Sequence, residues 1–409
     1  MPFRWKVATA AFVIATFGWT SGFYGPFVCL PVLHADRGWS ISLVSSAITA
    51  QFLIGAVMIW LSPDWYRAAG AARVTLACVA FAAVALLIWA NAQSPWQMFL
   101  ASFLGGIGWA GTSGPAVNAI LTPWFKEDRH KALSYALNGA SVSGLVFVPV
   151  WSALISSKGL EFAACVIVGA MVLVLGPLIS LYVAPAPASS LTASSSPLEA
   201  SPLSNAGRRT PERSGLLQDR RYLWLTTAFT FSLFSQMGLF AHLVSRMSSQ
   251  VSIELAAYAV SLTALCAIAG RFLLVQVLGS RDRCTIAAGN FVLQAIGTSF
   301  LAFGTDWIML GLGCVIFGAG AGNTNTLLPL IAQQLFREGE VADVVAKAAA
   351  INQAIYSLAP VIFGMLRDYL GDYTLAFATA AALQLMAAFI IAGVPRKRRA
   401  RPAESCMSS

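Results

Sequence analysis

Of the side chains able to do chemistry, Arg271 stands in the least hospitable surroundings. It sits in "CAIAGRFLLVQVLG", residues 266–279, whose other thirteen members are apolar, small or an uncharged amide. A guanidinium cannot deprotonate to escape such surroundings. Near a bilayer centre it costs at least ~2.5–3.5 kcal/mol on insertion scales, so it must face water or an anion, or snorkel toward the nearer interface. The carboxylates that would neutralise it lie elsewhere: all 17 Asp and Glu fall in loops, in a polar segment after residue 183, or at the edges of apolar runs. A buried charge needs a partner, and the natural partner here is an anion that the chain does not encode. The remaining chemistry is sparse. The three histidines, His34, His130 and His242, have no Asp or Cys at catalytic spacing, which argues against a membrane acyl- or glycosyltransferase. Seven cysteines show neither metal spacing nor a disulfide framework, and no metal or cofactor is expected.

The elements that must position Arg271 follow from composition. The chain is 57% hydrophobic and 11% charged, where a soluble domain carries roughly a quarter charged residues. Runs such as "VTLACVAFAAVALLIWA" and "FAACVIVGAMVLVLGPLISLYV" approach or exceed the roughly 20 apolar residues that a crossing helix needs. Dividing the chain at charges, prolines and polar clusters predicts twelve spans: 6–33, 41–61, 73–91, 95–121, 131–155, 160–183, 222–246, 255–278, 284–304, 307–334, 346–369 and 373–394. The fold class is therefore an all-α polytopic membrane protein, with twelve transmembrane helices as two pseudo-symmetric six-helix bundles. The first span is too long for a cleavable signal and "HADRGWS" offers no small-residue cleavage site.

Lysine and arginine set the expected orientation. With both termini cytoplasmic, 21 of them lie inside and four (Arg37, Lys158, Arg246 and Arg367) outside, with Arg271 left in the membrane. The net charge of +9 is thus spread over short loops facing anionic lipid, which argues against a nucleic-acid partner. This reading places the chain in a cell membrane, taken as a bacterial inner membrane.

The spans divide into 1–183 and 222–395, joined by a Pro/Ser/Ala-rich segment, 184–221, that is too polar to fold and is expected to be a disordered cytoplasmic linker. A basic cytoplasmic tail, 396–409, follows. The halves echo one another. "GGIGWAGTSG" in the fourth span matches "FGAGAGNTNT" in the tenth, and "WFKEDRHKA" and "LFREGEVADVVAKA" follow them. Duplicated six-helix halves with a site between them form a transporter architecture. Polar residues within spans are candidates for that site: Tyr24 beside Gly22, Gly25 and Pro26, and the amides Asn118, Asn323 and Asn325. Each amide can equally bridge helices. His242, in the outer third of the seventh span, is a candidate proton acceptor or outer gate. The glycine runs 105–114 and 318–322 lie inside apolar spans and read as close packing, not phosphate loops.

With twelve spans, a central linker and basic loops after the second and eighth spans, the chain resembles the major facilitator superfamily. "LGSRDRC", with Asp282 and Arg283, is similar to that family's loop signature, while "WLSPDWYRAAGAAR" keeps Asp64 but lacks the leading Gly. The resemblance implies that Asp64, Asp282 and Arg283 belong to a cytoplasmic gate. More narrowly, "GFYGPFVCLPVLHADRGWS", "TPWFKEDRHKALSYALNGASVSG" and "ELAAYAVSLTALCAIAGR" are similar to monocarboxylate porters and oxalate:formate antiporter-like proteins. In that branch the Arg of the eighth-span Gly-Arg pair binds the substrate carboxylate, which here implies Arg271. The acidic residue four positions earlier in animal members is Ala267 here, and their first-span lysine has no counterpart among residues 24–33. The implied protein is a secondary active transporter of small organic anions, most of all monocarboxylates. It would work as a monomer by alternating access in the lipid bilayer, with proton symport left open. Efflux of a neutral or amphiphilic molecule, and a transport-dead sensor, are the competing readings.

Overall fold

The structure, a computed structural model, describes residues 3–125, 128–184, 218–278 and 282–395, and their regular elements are α-helices with short π-turns. Nearly all of the expected linker and the whole basic tail lie outside the described residues.

Among the described residues, ten stretches are long and apolar enough to cross a membrane. One of them, Lys131–Val183, has 53 residues, about 80 Å at the helical rise of ~1.5 Å, against a hydrocarbon core of ~30 Å. It turns back at Gly159, whose φ of 85° and ψ of 173° suit a residue without Cβ, and so crosses twice. A further crossing, 95–121, is divided into Pro95–Ala110 and Gly114–Leu121 and has no continuous helix of full length. The described residues thus trace twelve spans: Phe3–Arg37, Ile41–Ala69, Ala71–Asn91, 95–121, 129–158, 160–183, Arg220–Ser248, Ile253–Leu278, Arg283–Phe303, Trp307–Leu335, 338–370 and Thr374–Ala392. Large apolar side chains such as Leu173 and Phe389 are exposed on the outside of the bundle, as a hydrocarbon solvent permits.

The repeat expected from the glycine runs extends along the whole of spans four and ten. Trp96 and Trp307, Gly111 and Gly322, and Phe125 and Phe336 are each 211 residues apart. They mark, in spans four and ten, an exposed tryptophan in the first turn, a break in mid-span and a buried ring at the end. At that end each half carries an arginine from its own first span: Arg4 lies 5.8 Å from the Phe125 ring and Arg221 lies 5.1 Å from that of Phe336. Span seven begins at Arg220, two residues inside the segment expected to be linker. The reason is a cap: the Asp219 carboxylate accepts the Arg221 amide at 2.8 Å. The hydrogen-bonded Arg221 guanidinium holds that carboxyl below the usual carboxylate range.

Burial shows how the halves meet. At the end carrying Arg4, Arg67, Arg129, Arg221 and Arg283 (the basic end), each half has its own core. One is built on Val7, Ile14, Val117 and Leu175, the other on Leu225, Phe291, Leu327 and Ile391. Toward the far end the two halves share a third core, in which Phe27, Leu30 and Ile48 join Leu239, Leu243 and Phe363. Hydrogen bonds agree. Asp368 of span eleven accepts the Ile41 and Ser42 amides of span two at 3.3 and 2.7 Å. The Val361 amide donates to Thr49 at 3.3 Å, and the Ser261 hydroxyl to the Gly144 carbonyl at 3.3 Å. Among the described residues, no hydrogen bond between halves lies nearer the basic end than the one from Arg271 to Ser141.

Candidate functional site

Between the halves, near mid-span, lies a cavity of about 430 Å³. Its walls come from spans one, two, four and five of the first half and seven, eight, ten and eleven of the second. Arg271 is the cation of that lining, and no carboxylate stands among the lining residues.

The position of Arg271 follows from its neighbour. Span eight presents Gly270 to the backbone of span ten, where a Cβ would run into the Ala319 carbonyl. Gly322 in turn packs against the Ala267 carbonyl. With no side chain between them the two backbones touch, and the next residue, Arg271, meets the break in span ten. There the helix Trp307–Ala321 ends before Thr324–Leu335 begins, and carbonyls near the end of the first segment need donors. Arg271 Nε donates to the Gly322 carbonyl at 3.0 Å, and Gln236 Nε2 donates to that of Ala321 at 3.3 Å. Arg271 Nη1 donates to the Ser141 hydroxyl of span five, across the gap between halves, at 3.2 Å. Among the described residues the partners of this guanidinium are thus a carbonyl and a hydroxyl, both neutral, and no ion pair includes it. Three of its five N–H donors remain for a ligand.

The first half is shaped to approach this point. Span one carries a π-turn at Thr20–Tyr24 and span five one at Ser143–Phe147, irregularities that recur at functional sites. They are joined by the Thr20 and Ser143 hydroxyls at 2.8 Å. Gly144 makes room for Tyr24: a Cβ there would lie 2.7 Å from the Tyr24 Cζ. The phenol shares the cavity with Arg271 and lies within reach of its charge.

Of the residues expected at a substrate, the cavity brings together Arg271, Tyr24 and Asn325. Asn118 and Asn323 stand elsewhere. Asn118 Oδ1 accepts from Arg129 at 2.8 Å, tying span four to the start of span five at the basic end. Asn323 is buried in the break of span ten, donating to Asn290 Oδ1 and the Ala319 carbonyl, both at 3.0 Å. His242 is fully buried and lines neither this cavity nor a larger one at the far end. Its Nε2 lies 2.9 Å from the Pro360 carbonyl, and because a carbonyl only accepts, that nitrogen carries the hydrogen and Nδ1 is the free base. The ring stacks on Phe363. The far-end cavity borders Arg246, whose Nε and Nη2 donate to the carbonyls of Leu301, Ala302 and Gly304 at the end of span nine.

The contacts that Asp64, Asp282 and Arg283 make with other described residues lie within their own halves. Asp64 pairs with Arg67 one turn along span two. Asp282 caps span nine through Thr285 and accepts from Gln334 at 2.5 Å, while Arg283 donates to the Leu330 carbonyl at 2.6 Å. The second pair fastens span nine to span ten.

Gln236, Ser141 and the freed carbonyl of Gly322 were not expected at the site. The glycine run holding Gly322 was visible, but it reads equally as packing. Gln236 and Ser141 carry no sequence signal, since nothing local shows that their faces meet Arg271.

The family model of the Major Facilitator Superfamily matches residues 8–364. Monocarboxylate transporter 11 of Mus musculus is 26% identical over 401 residues, covering 96% of this chain and 79% of that protein. A variant of the nucleoside transporter NupG superposes with a TM-score of 0.76 at 13% identity, covering 96% of this chain and 99% of that one. A bacterial homologue of the human lysosomal transporter Spinster, in an inward-facing and unoccupied conformation, superposes with a TM-score of 0.69 at 16% identity, covering 96% and 95%. Those likenesses speak for the fold. Twelve crossings, a repeat carried through spans four and ten, a cavity between the halves and a family match over most of the length lead to one assignment: this chain belongs to the major facilitator superfamily and is a multi-pass membrane transporter, not an enzyme.

Proposed function

We propose that this transporter carries small organic anions, monocarboxylates first among them, by alternating access. One observation carries the reading: Arg271 lines the central cavity with neutral partners only. A carboxylate meets a guanidinium through two parallel hydrogen bonds, and in a low-dielectric cavity that pairing offsets the cost of the buried charge. Tyr24 and Asn325 are placed to orient the bound acid, whereas Asn118 and Asn323 serve as ties between helices. The similarity to a mouse monocarboxylate transporter supports the same substrate class. Within transport, a cationic cargo is disfavoured because the lining offers it no carboxylate.

The basic end is assigned to the cytoplasm by the lysine and arginine asymmetry, in a bacterial inner membrane. The shared far-end core and the Asp368 contacts then close the outer side, and the separate basic-end cores belong to an inward-open conformation. The bundles rock about the cavity. Asp64, Asp282 and Arg283 stand at the cytoplasmic gate, with their present contacts holding each half together while that gate is open. His242, packed against Pro360 and Phe363 of span eleven, is assigned to the outer gate and to proton coupling. The protein acts as a monomer.

The test is counterflow in proteoliposomes, with labelled mono- and dicarboxylates, a nucleoside and a cationic amphiphile as separate cargoes. Exchange of monocarboxylates is expected. Exchange of the nucleoside or the cation with none of the acids overturns the reading.

A further inference from the structure

The central cavity is divided by chemistry as well as by bundle. Its larger polar groups, Arg271, Gln236, Asn325 and Gln353, come from the second half, to which the first half adds the hydroxyls of Ser113 and Ser141. Facing them, and beside Phe240 and Tyr356 of the second half, the first half presents five aromatic rings: Trp19, Phe23, Tyr24, Phe52 and Trp109. These rings are one connected array. Centroids lie 4.8 Å apart for Trp19 and Trp109, 6.3 Å for Phe52 and Trp109, 5.9 Å for Phe23 and Phe52, and 5.0 Å for Phe23 and Tyr24. Four spacings of this kind fall within the range of edge-to-face and offset contacts.

The array is held from behind. A Cβ on Gly22 would lie 2.7 Å from a ring carbon of Trp109, and one on Gly55 would lie 3.0 Å from another. The indole is therefore seated on bare backbone of spans one and two, which fixes its plane before any ligand arrives. Gly22 and Gly55 keep their positions for the ring, just as Gly270 keeps its position for Arg271. Preorganised groups of this kind lose little freedom on binding.

Size and charge narrow the ligand further. A volume of about 430 Å³ falls within the ~300–1,000 Å³ range of pockets that hold a small organic molecule. A two- or three-carbon acid would satisfy Arg271 and leave most of that space as water against aromatic rings, forgoing the burial that they offer. A dicarboxylate would bring a second charge, for which the lining holds no second cation. A flat aromatic body bearing one carboxylate meets both walls at once, with its charge on Arg271 and its ring against the array.

We propose that the preferred cargo is an aryl carboxylate: an acid with one carboxylate on an aromatic ring or on a short arm from it. This rests on the carboxylate reading of Arg271 and adds the body of the substrate to it.

The test uses the full chain in proteoliposomes, with inhibition of labelled benzoate counterflow by unlabelled benzoate, phenylacetate, cyclohexanecarboxylate, lactate, acetate and benzyl alcohol. Benzoate and phenylacetate are expected to compete at concentrations at least tenfold below those of lactate and acetate. Cyclohexanecarboxylate should fall between, and benzyl alcohol should not compete. Trp109→Ala is expected to shrink the gap between aryl and short acids to threefold or less, and Trp109→Phe to keep most of it. Should Trp109→Ala fail to reconstitute, Trp19→Leu tests the same wall. If labelled lactate or acetate exchanges as well as benzoate, the aryl preference is overturned while the carboxylate reading stands. If benzyl alcohol competes as well as benzoate, or no acid exchanges, the carboxylate reading falls with it.

Discussion

Removing the Asp368 carboxylate should open the far end. The first turn of span two has amides that no intrahelical carbonyl can satisfy. Ser40 takes the Leu43 amide at 3.2 Å, and Asp368, reaching across from the other half, takes those of Ile41 and Ser42. The Ser42 bond, at 2.7 Å, is a well-formed charge-assisted one, and such bonds contribute ~1.5–3 kcal/mol net. The Ile41 bond, at 3.3 Å, adds little. The positive end of the helix adds ~0.3–1 kcal/mol for a nearby anion. Arg367 lies 3.5 Å away and the carboxylate is 22% exposed, so water and the neighbouring cation share it. Taking the lower part of each range gives ~2 kcal/mol, and at ~1.4 kcal/mol per tenfold the latch biases the equilibrium toward a closed far end by about thirtyfold. A carrier with 1% of molecules open at the far end would thus rise to roughly a quarter open in Asp368→Ala. Spin labels at Gln93 and Thr305, exposed loop positions in opposite halves, report this as a growing long-distance population in pulsed dipolar spectroscopy. Asp368→Asn, which keeps one acceptor and loses the charge, should be intermediate. Distance distributions that do not change in Asp368→Ala would refute the latch.

Further tests address other parts of the site. Gly270→Ala should destabilise the protein by ~1–3 kcal/mol, as overpacking does, because the added methyl meets backbone at Ala319 and not a side chain that can turn away. A lowered melting temperature and a raised KM check it, and a neutral outcome would mean that spans eight and ten separate freely. His242→Gln is expected to weaken uptake driven by an inward proton gradient and largely to spare counterflow; equal loss of both would move His242 into the binding step. Asp219→Asn should lower the melting temperature near neutral pH. Arg221 depresses the folded-state pKa of Asp219 below its ordinary 3.8, so the contribution is complete above that value and is lost as pH falls through the depressed one. The gap between wild type and variant should narrow below pH 3.8, and a gap independent of pH would assign the effect to shape alone.

The twelve spans were legible because apolar length is a property of sequence, and Arg271 because one cation in such a run has no local explanation. What decides the site was less so. Gly322 reads as a packing glycine, and only the fold shows that it also ends a helix and frees a carbonyl for Arg271. Asn118 and Asn323 read like Asn325, since an amide inside a span carries no mark of which face it occupies. The structure gives the first two helix partners and places the third in the cavity. Asp368 reads as a span-edge carboxylate; its role depends on span two, 326 residues earlier in the chain. Asp282 and Arg283 read as a loop signature, while the bonds they make depend on where Leu330 and Gln334 end span ten.

The most direct measurement is counterflow of labelled benzoate and lactate in proteoliposomes carrying wild type, Arg271→Ala or Arg271→Lys, with equal insertion and comparable melting temperatures established first. Saturable exchange by wild type, none by the alanine variant and little by lysine, which lacks the planar fork that meets a carboxylate, is the predicted result. Exchange by Arg271→Ala at close to the wild-type rate would show that the guanidinium serves the break in span ten and not the substrate, contradicting the assignment.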